Sequence, residues 1–413
     1  MIFSPLKGVE SYRFPNGLRV YLKEDHQWPL VSAHAWVRVG SIDESPAQAG
    51  MAHVLEHMVF KGTTHLEAAE ISSAVEALGG AMNAETTKEY THYYVDVPSA
   101  GTSEAIHLLG ELLHQAVLDP SEWERECPVI LEEIKRRNDD PDSLLWDLLN
   151  EAVFEEPSLR RPVIGSPETV AAITSGDLRA FYKKHYTAAE CVVVVAGDFK
   201  TDEMLKRLRG EFEAMPGGQA NTNRFKGAPG GVLRRVAVRK PVKQTYLAFG
   251  FPTPPAAHPD HEALDLVAGI LGDGRNSRLV SSLREKKRLV WSISAANMTH
   301  QGPGLFAIFA EADSKKSRKL PPALNHLLKN LLEQPPTSSE LERVKNMIHT
   351  SWLQGYETYH SQASTLGLFA IDDHLDRLKR YLPKLLGLTR RHLSEVIETY
   401  FHPLALAAAV IES

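Results

Sequence analysis

Two stretches of the chain, VSAHAWVRVG (31–40) and QTYLAFGFPT (244–253), alternate apolar and polar positions as half-buried strands do. Each runs on into a segment with apolar residues spaced three and four apart, AQAGMAHVLEHMVF and DHEALDLVAGIL, which predicts an amphipathic helix. The second occurrence follows the first by about 210 residues, and the echo continues along the chain. LLHQAVLDPSEWERE (112–126) is answered by LLEQPPTSSELERV (331–344), where Ser121 with Glu124 and Ser339 with Glu342 read as capping boxes opening a helix. GDLRAFYKKHYTAAECVVVVAGDF (176–199) is answered by RRHLSEVIETYFHPLALAAAVIES (390–413), each a helix running into an apolar strand. Between the halves, MPGGQANTNRFKGAPGG (215–231) has the Gly, Pro and Asn content of an exposed linker. The pattern therefore predicts an α+β fold of two homologous domains, 1–214 and 233–413 joined by a linker at 215–232, each an antiparallel sheet packed with helices.

Composition narrows the class without naming a chemistry. With 413 residues, 43% hydrophobic and 24% charged, the chain can bury a sizeable core in each half. A net charge of −6 argues against a nucleic-acid partner, and no apolar run approaches the ~18 residues of a membrane span. Cys127 and Cys191 stand far apart, so neither a disulfide framework nor a thiolate zinc knuckle is available, and both are expected to pack as small apolar residues. The N-terminal residues lack a basic region followed by an apolar stretch, so the cytoplasm is the expected compartment, or the periplasm if a leader has been removed.

The chemistry lies in HVLEHMVFKGT (53–63). On a helix His53, Glu56 and His57 share one face. Two imidazoles at i and i+4 can hold a zinc ion, and the acid between them can take a proton from water on the metal. Catalytic zinc normally has three protein ligands, so a further His or acid on a second element is required. Other histidines are weaker candidates. HPDHE (258–262) has acid and histidine in the wrong order and reads as a loop or helix start on the surface. GDGRNSRL (272–279) lacks the ending of a phosphate loop and reads as a turn. AMNAETTKEYTHYYVDV (81–97) reads as two short strands around a polar bend, and an exposed strand edge of that kind can hold an extended peptide through its backbone.

The inverted motif HxxEH, followed at 76 positions by Glu133 in VILEEI, resembles the pitrilysin/insulinase family of zinc metallopeptidases. The resemblance extends through FPNGLRVYL, LGGAMNAETTKEYTHYYVDVP, RRPVIGSPETV and LGDGRNSRLVSSLREKKRL, nearly the whole chain. It implies one Zn2+ per chain held by His53, His57 and Glu133, with Glu56 as general base. Glu133 is chosen over Glu132 by the family spacing and because it continues the face of Glu126, which the resemblance marks as an acid beside the metal ligands. Pro128 lies between these acids and is expected to kink their helix. Asn83 and Ala84 match the segment that grips the substrate main chain. Arg284 matches a substrate-binding arginine, while Trp291 stands where the family has a tyrosine whose hydroxyl helps stabilise the oxyanion, a role an indole N–H fills differently. In the second half the positions matching His53 and His57 are apolar and Ser351 matches Glu133, so only one zinc site of this type is expected.

A chain of this length resembles half of the family's clam-shaped chamber. The resemblance thus implies a zinc endopeptidase cleaving peptides or unfolded segments inside a chamber of two chains, with a heterodimer with a second family chain favoured over a homodimer because of Trp291. Two alternatives stand beside it: a dedicated peptidase subunit maturing one precursor, such as a peptide cofactor or a targeting peptide, and a catalytically silent scaffold of the same fold.

Overall fold

The computed structural model describes residues 4–221, 224–225, 234–402 and 406–413; within the linker read at 215–232, residues 222–223 and 226–232 lie outside the described residues. The chain forms two compact units. The first comprises Met1–Ile134, Pro162–Arg224 and Leu353–Lys379, the second Lys135–Arg161, Phe225–Trp352 and Arg380–Ser413. Relative to the halves read at 1–214 and 233–413, each unit takes a segment from the other half.

The first unit is built on strands β1 (Val9–Arg13), β2 (Arg19–Glu24), β3 (Leu30–Val37), β4 (Ala81–Thr86), β5 (Thr91–Pro98) and β6 (Cys191–Gly197), in a six-stranded sheet ordered β1-β2-β6-β3-β5-β4. Its pairs are antiparallel except β2 with β6, which run parallel, so the sheet is mixed where pattern alone predicted antiparallel. The alternate residues Val31, Ala33, Ala35 and Val37 of β3 and Tyr93, Val95 and Val97 of β5 enter one core. Onto that core pack α1 (Met51–Val59), α2 (Ala68–Ala77), α3 (Thr102–His114) and the first part of α4 (Pro120–Asp139), through residues such as Leu55, Ile71, Leu109 and Ile130.

β3 departs from its half-buried reading, since Val31 to Val37 are buried on both faces. The helix Tyr359–Ala370, from the segment the second half contributes, lies against β3 and β6 and covers the polar-looking positions. In the second unit β7 (Arg235–Arg239), β8 (Thr245–Thr253), β9 (Ser292–Met298), β10 (Gly304–Ala312) and β11 (Ala407–Glu412) form a sheet ordered β7-β11-β8-β10-β9, with β7 and β11 parallel. Here α5 (Pro141–Val153), from the first half, covers β8 and β11, while the helix His261–Gly272 packs against β9. Each sheet thus gains a cover from the opposite half of the sequence.

Both capping boxes start elsewhere than Ser-x-x-Glu predicted. Asp119 precedes α4 and accepts from the Ser121 amide at 2.7 Å, with Pro120 as the first helical residue, where its missing N–H costs nothing. Before the helix Ser338–Gln354, Thr337 and Glu340 cap each other reciprocally at 2.8 and 3.2 Å. In each case an earlier side chain reaches the same free amides first. Cys191 is buried and Cys127 packs against the first core, as free thiols. Among the described residues no helix is long and apolar enough to cross a membrane.

Candidate metal centre

α1 starts from Gly50, whose φ of +96° suits glycine and whose Cα leaves no room for a side chain, since a Cβ would lie 2.7 Å from the Ile164 carbonyl oxygen. The buried Glu44 carboxylate accepts from the amides of Gly50 and Ala52 at 2.9 and 2.8 Å, which satisfies free donors and places a negative charge at the positive end of the helix. Met51, Val54, Leu55 and Met58 face the core. That orientation fixes His53, Glu56 and His57 together on the partly open face.

α4 continues as one helix through Pro128, so both acids stand on the same element. Its residue Glu133 meets both histidines: Oε1 lies 3.6 Å from His53 Nε2 and Oε2 3.5 Å from His57 Nε2. Ligand atoms of His53, His57 and Glu133 all lie within 4.8 Å of one another. Glu126 accepts from His57 Nδ1 at 2.9 Å and pairs with Lys61 Nζ at 2.6 Å. Burial pushes the Glu126 carboxyl up, but the hydrogen bonds from Lys61 and His57 outweigh it and hold the group below the usual glutamate value. An ionised Glu126 keeps a proton on Nδ1, leaving Nε2 as the ring atom aimed at Glu133. A neutral ring then presents a lone pair to a carboxylate oxygen, an arrangement a cation between them relieves. The donor set therefore fits zinc, with two imidazoles and a carboxylate.

Glu56 lies beside this cluster. Burial raises its carboxyl above the ordinary value, opposed by a hydrogen bond from the Thr86 hydroxyl on β4 and by His57. Asn83 and Ala84 lie on β4, the strand at one end of the sheet, where Asn83 Oδ1 accepts from the Ala84 amide at 2.9 Å. Thr86 and Lys61 escaped the sequence reading, although Lys61 stands four residues after His57 and so on the same side of the chain.

Arg284 and Trp291 belong to the second unit. Arg284 sits in a π-helical turn, Val280–Lys286, and pairs with Glu285 at 2.9 Å. Trp291 is 65% exposed. Both line a cavity of about 270 Å3 with Arg288, Asp313 and Lys316. HPDHE starts a helix as expected and Pro259 is exposed, but the expectation of surface residues fails at His261 and Glu262, which are buried, Glu262 pairing with Lys384 at 2.6 Å, because the helix they begin is covered around its circumference.

Comparison with known proteins places these features in a family context. The insulinase (peptidase family M16) pattern matches residues 19–167, and the pattern of the peptidase M16 inactive domain matches residues 172–348. An uncharacterized zinc protease of Bacillus subtilis is 30% identical over 359 residues, covering 87% of each chain. One from Mycobacterium leprae is 32% identical over 369 residues, covering 87% of this chain and 82% of its own. Among solved structures, a protease from Helicobacter pylori shares the fold at a TM-score of 0.91 and 24% identity, over 98% of this chain and 99% of that one.

Proposed function

The chain belongs to the insulinase family of peptidases, M16, and on that premise we propose that it is a zinc-dependent endopeptidase acting on peptides or unfolded segments. The observation that carries the proposal is the convergence of His53, His57 and Glu133 with the half-buried acid Glu56 beside them. A zinc ion held by those three residues would supply Lewis acidity, lowering the pKa of water and polarising the scissile carbonyl. Glu56 takes the proton of the attacking water and returns it to the leaving amine. Its partial burial serves that double task, because raising the carboxyl above its ordinary value favours return of the proton as well as its uptake. The Thr86 hydroxyl fixes one Glu56 oxygen, and Glu126 holds the tautomer of His57. β4, with Asn83 and Ala84, offers an extended substrate its backbone groups.

The working enzyme in this reading contains a second chain. Two copies of this chain would bring Arg284 with Trp291 to the reaction, and an indole donates only through its ring N–H. Losing an oxyanion donor typically costs ~10² to 10³ in rate. A partner of the same family that supplies its own arginine and tyrosine removes that loss, and the heterodimer is therefore favoured over the homodimer. The test of the activity is cleavage of an unfolded-peptide library by wild type and by Glu56→Gln. The variant should lose cleavage by at least ~10², and equal cleavage by both would remove Glu56 from the mechanism.

A further inference from the structure

The face of the first sheet turned away from α1 carries a second group of metal-binding side chains. Val31, Ala33 and Ala35 of β3 and Tyr93 and Val95 of β5 share the core with α1, so the intervening residues Ser32, His34, Trp36, His92, Tyr94 and Asp96 point to the reverse face. The helix Tyr359–Ala370 covers that face and brings His360 to it.

These side chains form one hydrogen-bonded line between two carboxylates. His92 Nδ1 lies 3.4 Å from Glu85 Oε1, His92 Nε2 lies 2.8 Å from His34 Nδ1, and His34 Nε2 lies 2.8 Å from Ser32 Oγ. The Ser32 hydroxyl donates to Asp96 Oδ1, and His360 Nδ1 lies 2.9 Å from Asp96 Oδ2. From Glu85 to Asp96 there are four links, and each needs one proton. Neutral His92, neutral His34 and Ser32 supply only three. With the Ser32 proton on Asp96, His34 must donate to Ser32 and His92 to His34, which leaves a bare His92 nitrogen facing the Glu85 carboxylate. A fourth proton would have to enter a line whose central imidazole is fully buried.

The geometry points to a divalent cation at the other end: His34, Asp96 and His360, whose ligand atoms lie within 4.8 Å of one another, form a second metal site of the zinc type. Coordination through His34 Nε2 moves the ring proton to Nδ1, which donates to His92 Nε2. His92 then carries its proton on Nδ1 and donates it to Glu85. The Ser32 hydroxyl stays on Asp96, the metal takes the place of the proton between His34 and Ser32, and the other three links are filled with neutral imidazoles. This is the arrangement in which a ligating histidine passes its second N–H towards a carboxylate. Two nitrogens and one oxygen select zinc, cobalt or nickel over calcium or magnesium, which prefer oxygen donors. The ion would tie the helix Tyr359–Ala370 to β3 and β5 within the first unit.

The test uses the full chain with the first cluster disabled by His57→Ala and Glu133→Gln, so that its outcome does not depend on the peptidase reading. After dialysis against micromolar free zinc, this parent should retain one zinc per chain. Adding His360→Ala or Asp96→Asn, both at partly exposed positions, should remove it, and zinc should raise the thermal midpoint of the parent but not of these variants. X-ray absorption of the parent's zinc should report two imidazoles and a carboxylate, a reading that needs no further substitution. A parent without zinc, zinc retained in both added variants, or a ligand shell without imidazole would each overturn the proposal.

Discussion

Replacing Glu126 tests the proposed metal centre at a residue that is not one of its three proposed ligands. Its carboxylate accepts from His57 Nδ1 at 2.9 Å and from Lys61 Nζ at 2.6 Å, and the residue is 7% exposed. A hydrogen bond involving a charged group is worth about 1.5–3 kcal/mol. If that bond fixes the His57 tautomer that leaves Nε2 for zinc, losing it converts to about 10- to 100-fold in affinity, at 1.4 kcal/mol per tenfold. Substitutions of residues that orient metal ligands lie in the same range. Glu126→Ala also leaves the Lys61 ammonium uncompensated near the centre, which acts in the same direction. Glu126→Gln keeps one acceptor oxygen for His57 and should lose about tenfold. Zinc affinity measured by competition with a chromophoric chelator, in the His360→Ala background so that a second ion does not contribute, gives the number directly. An affinity for Glu126→Ala within twofold of its parent would refute the reasoning that Glu126 sets the His57 tautomer.

The remaining predictions concern the frame around the site. Gly367→Ala should destabilise the protein, because a Cβ there would overlap Trp36 Nε1 and sit 2.5 Å from Cε2 of a buried ring; overpacking by about 1–3 kcal/mol outweighs a helix gain of about 1 kcal/mol, and thermal unfolding reads the net loss. Glu340→Gln should lower the thermal midpoint at neutral pH. Bonds from Arg278 hold the Glu340 carboxyl down at about 2, so its contribution is present above the ordinary value of 4.5 and fades as pH falls towards 2, where variant and wild type should converge. Cutting the chain inside residues 215–231 should give pieces that fold only together, since α5 and the helix Tyr359–Ala370 cover sheets built from the opposite half; a well-folded 1–214 fragment by circular dichroism and hydrogen exchange would contradict this.

Local pattern carried the order of strands and helices because each element's period is written in its own residues, as in β3 and α1. It carried less about which surfaces meet. The polar positions of β3 read as a solvent face, yet a helix some 320 residues later covers them, and nothing in the spacing of Ser32, His34 and Trp36 reveals a distant partner. The helix exchange between halves is hidden for the same reason. At the site, HxxEH was legible because i, i+3 and i+4 geometry is local, whereas Glu133 was reached through family resemblance together with the helix face it shares with Glu126. Glu56 and Thr86 are thirty residues apart and meet across two elements, so their bond has no sequence signature. The capping boxes failed because Ser-x-x-Glu matched the motif while Asp119 and Thr337 occupied the cap position.

The central claim is that one zinc ion at His53, His57 and Glu133 works with Glu56 to cleave peptides. It is tested most directly by measuring zinc content and peptide cleavage on the same samples of three proteins in the His360→Ala background: no further change, Glu56→Gln and His57→Ala. The account predicts one zinc with cleavage for the first, one zinc without cleavage for Glu56→Gln, and loss of both for His57→Ala, given any partner chain that cleavage requires. Cleavage by the first protein with no zinc bound, or undiminished cleavage by Glu56→Gln, would contradict it.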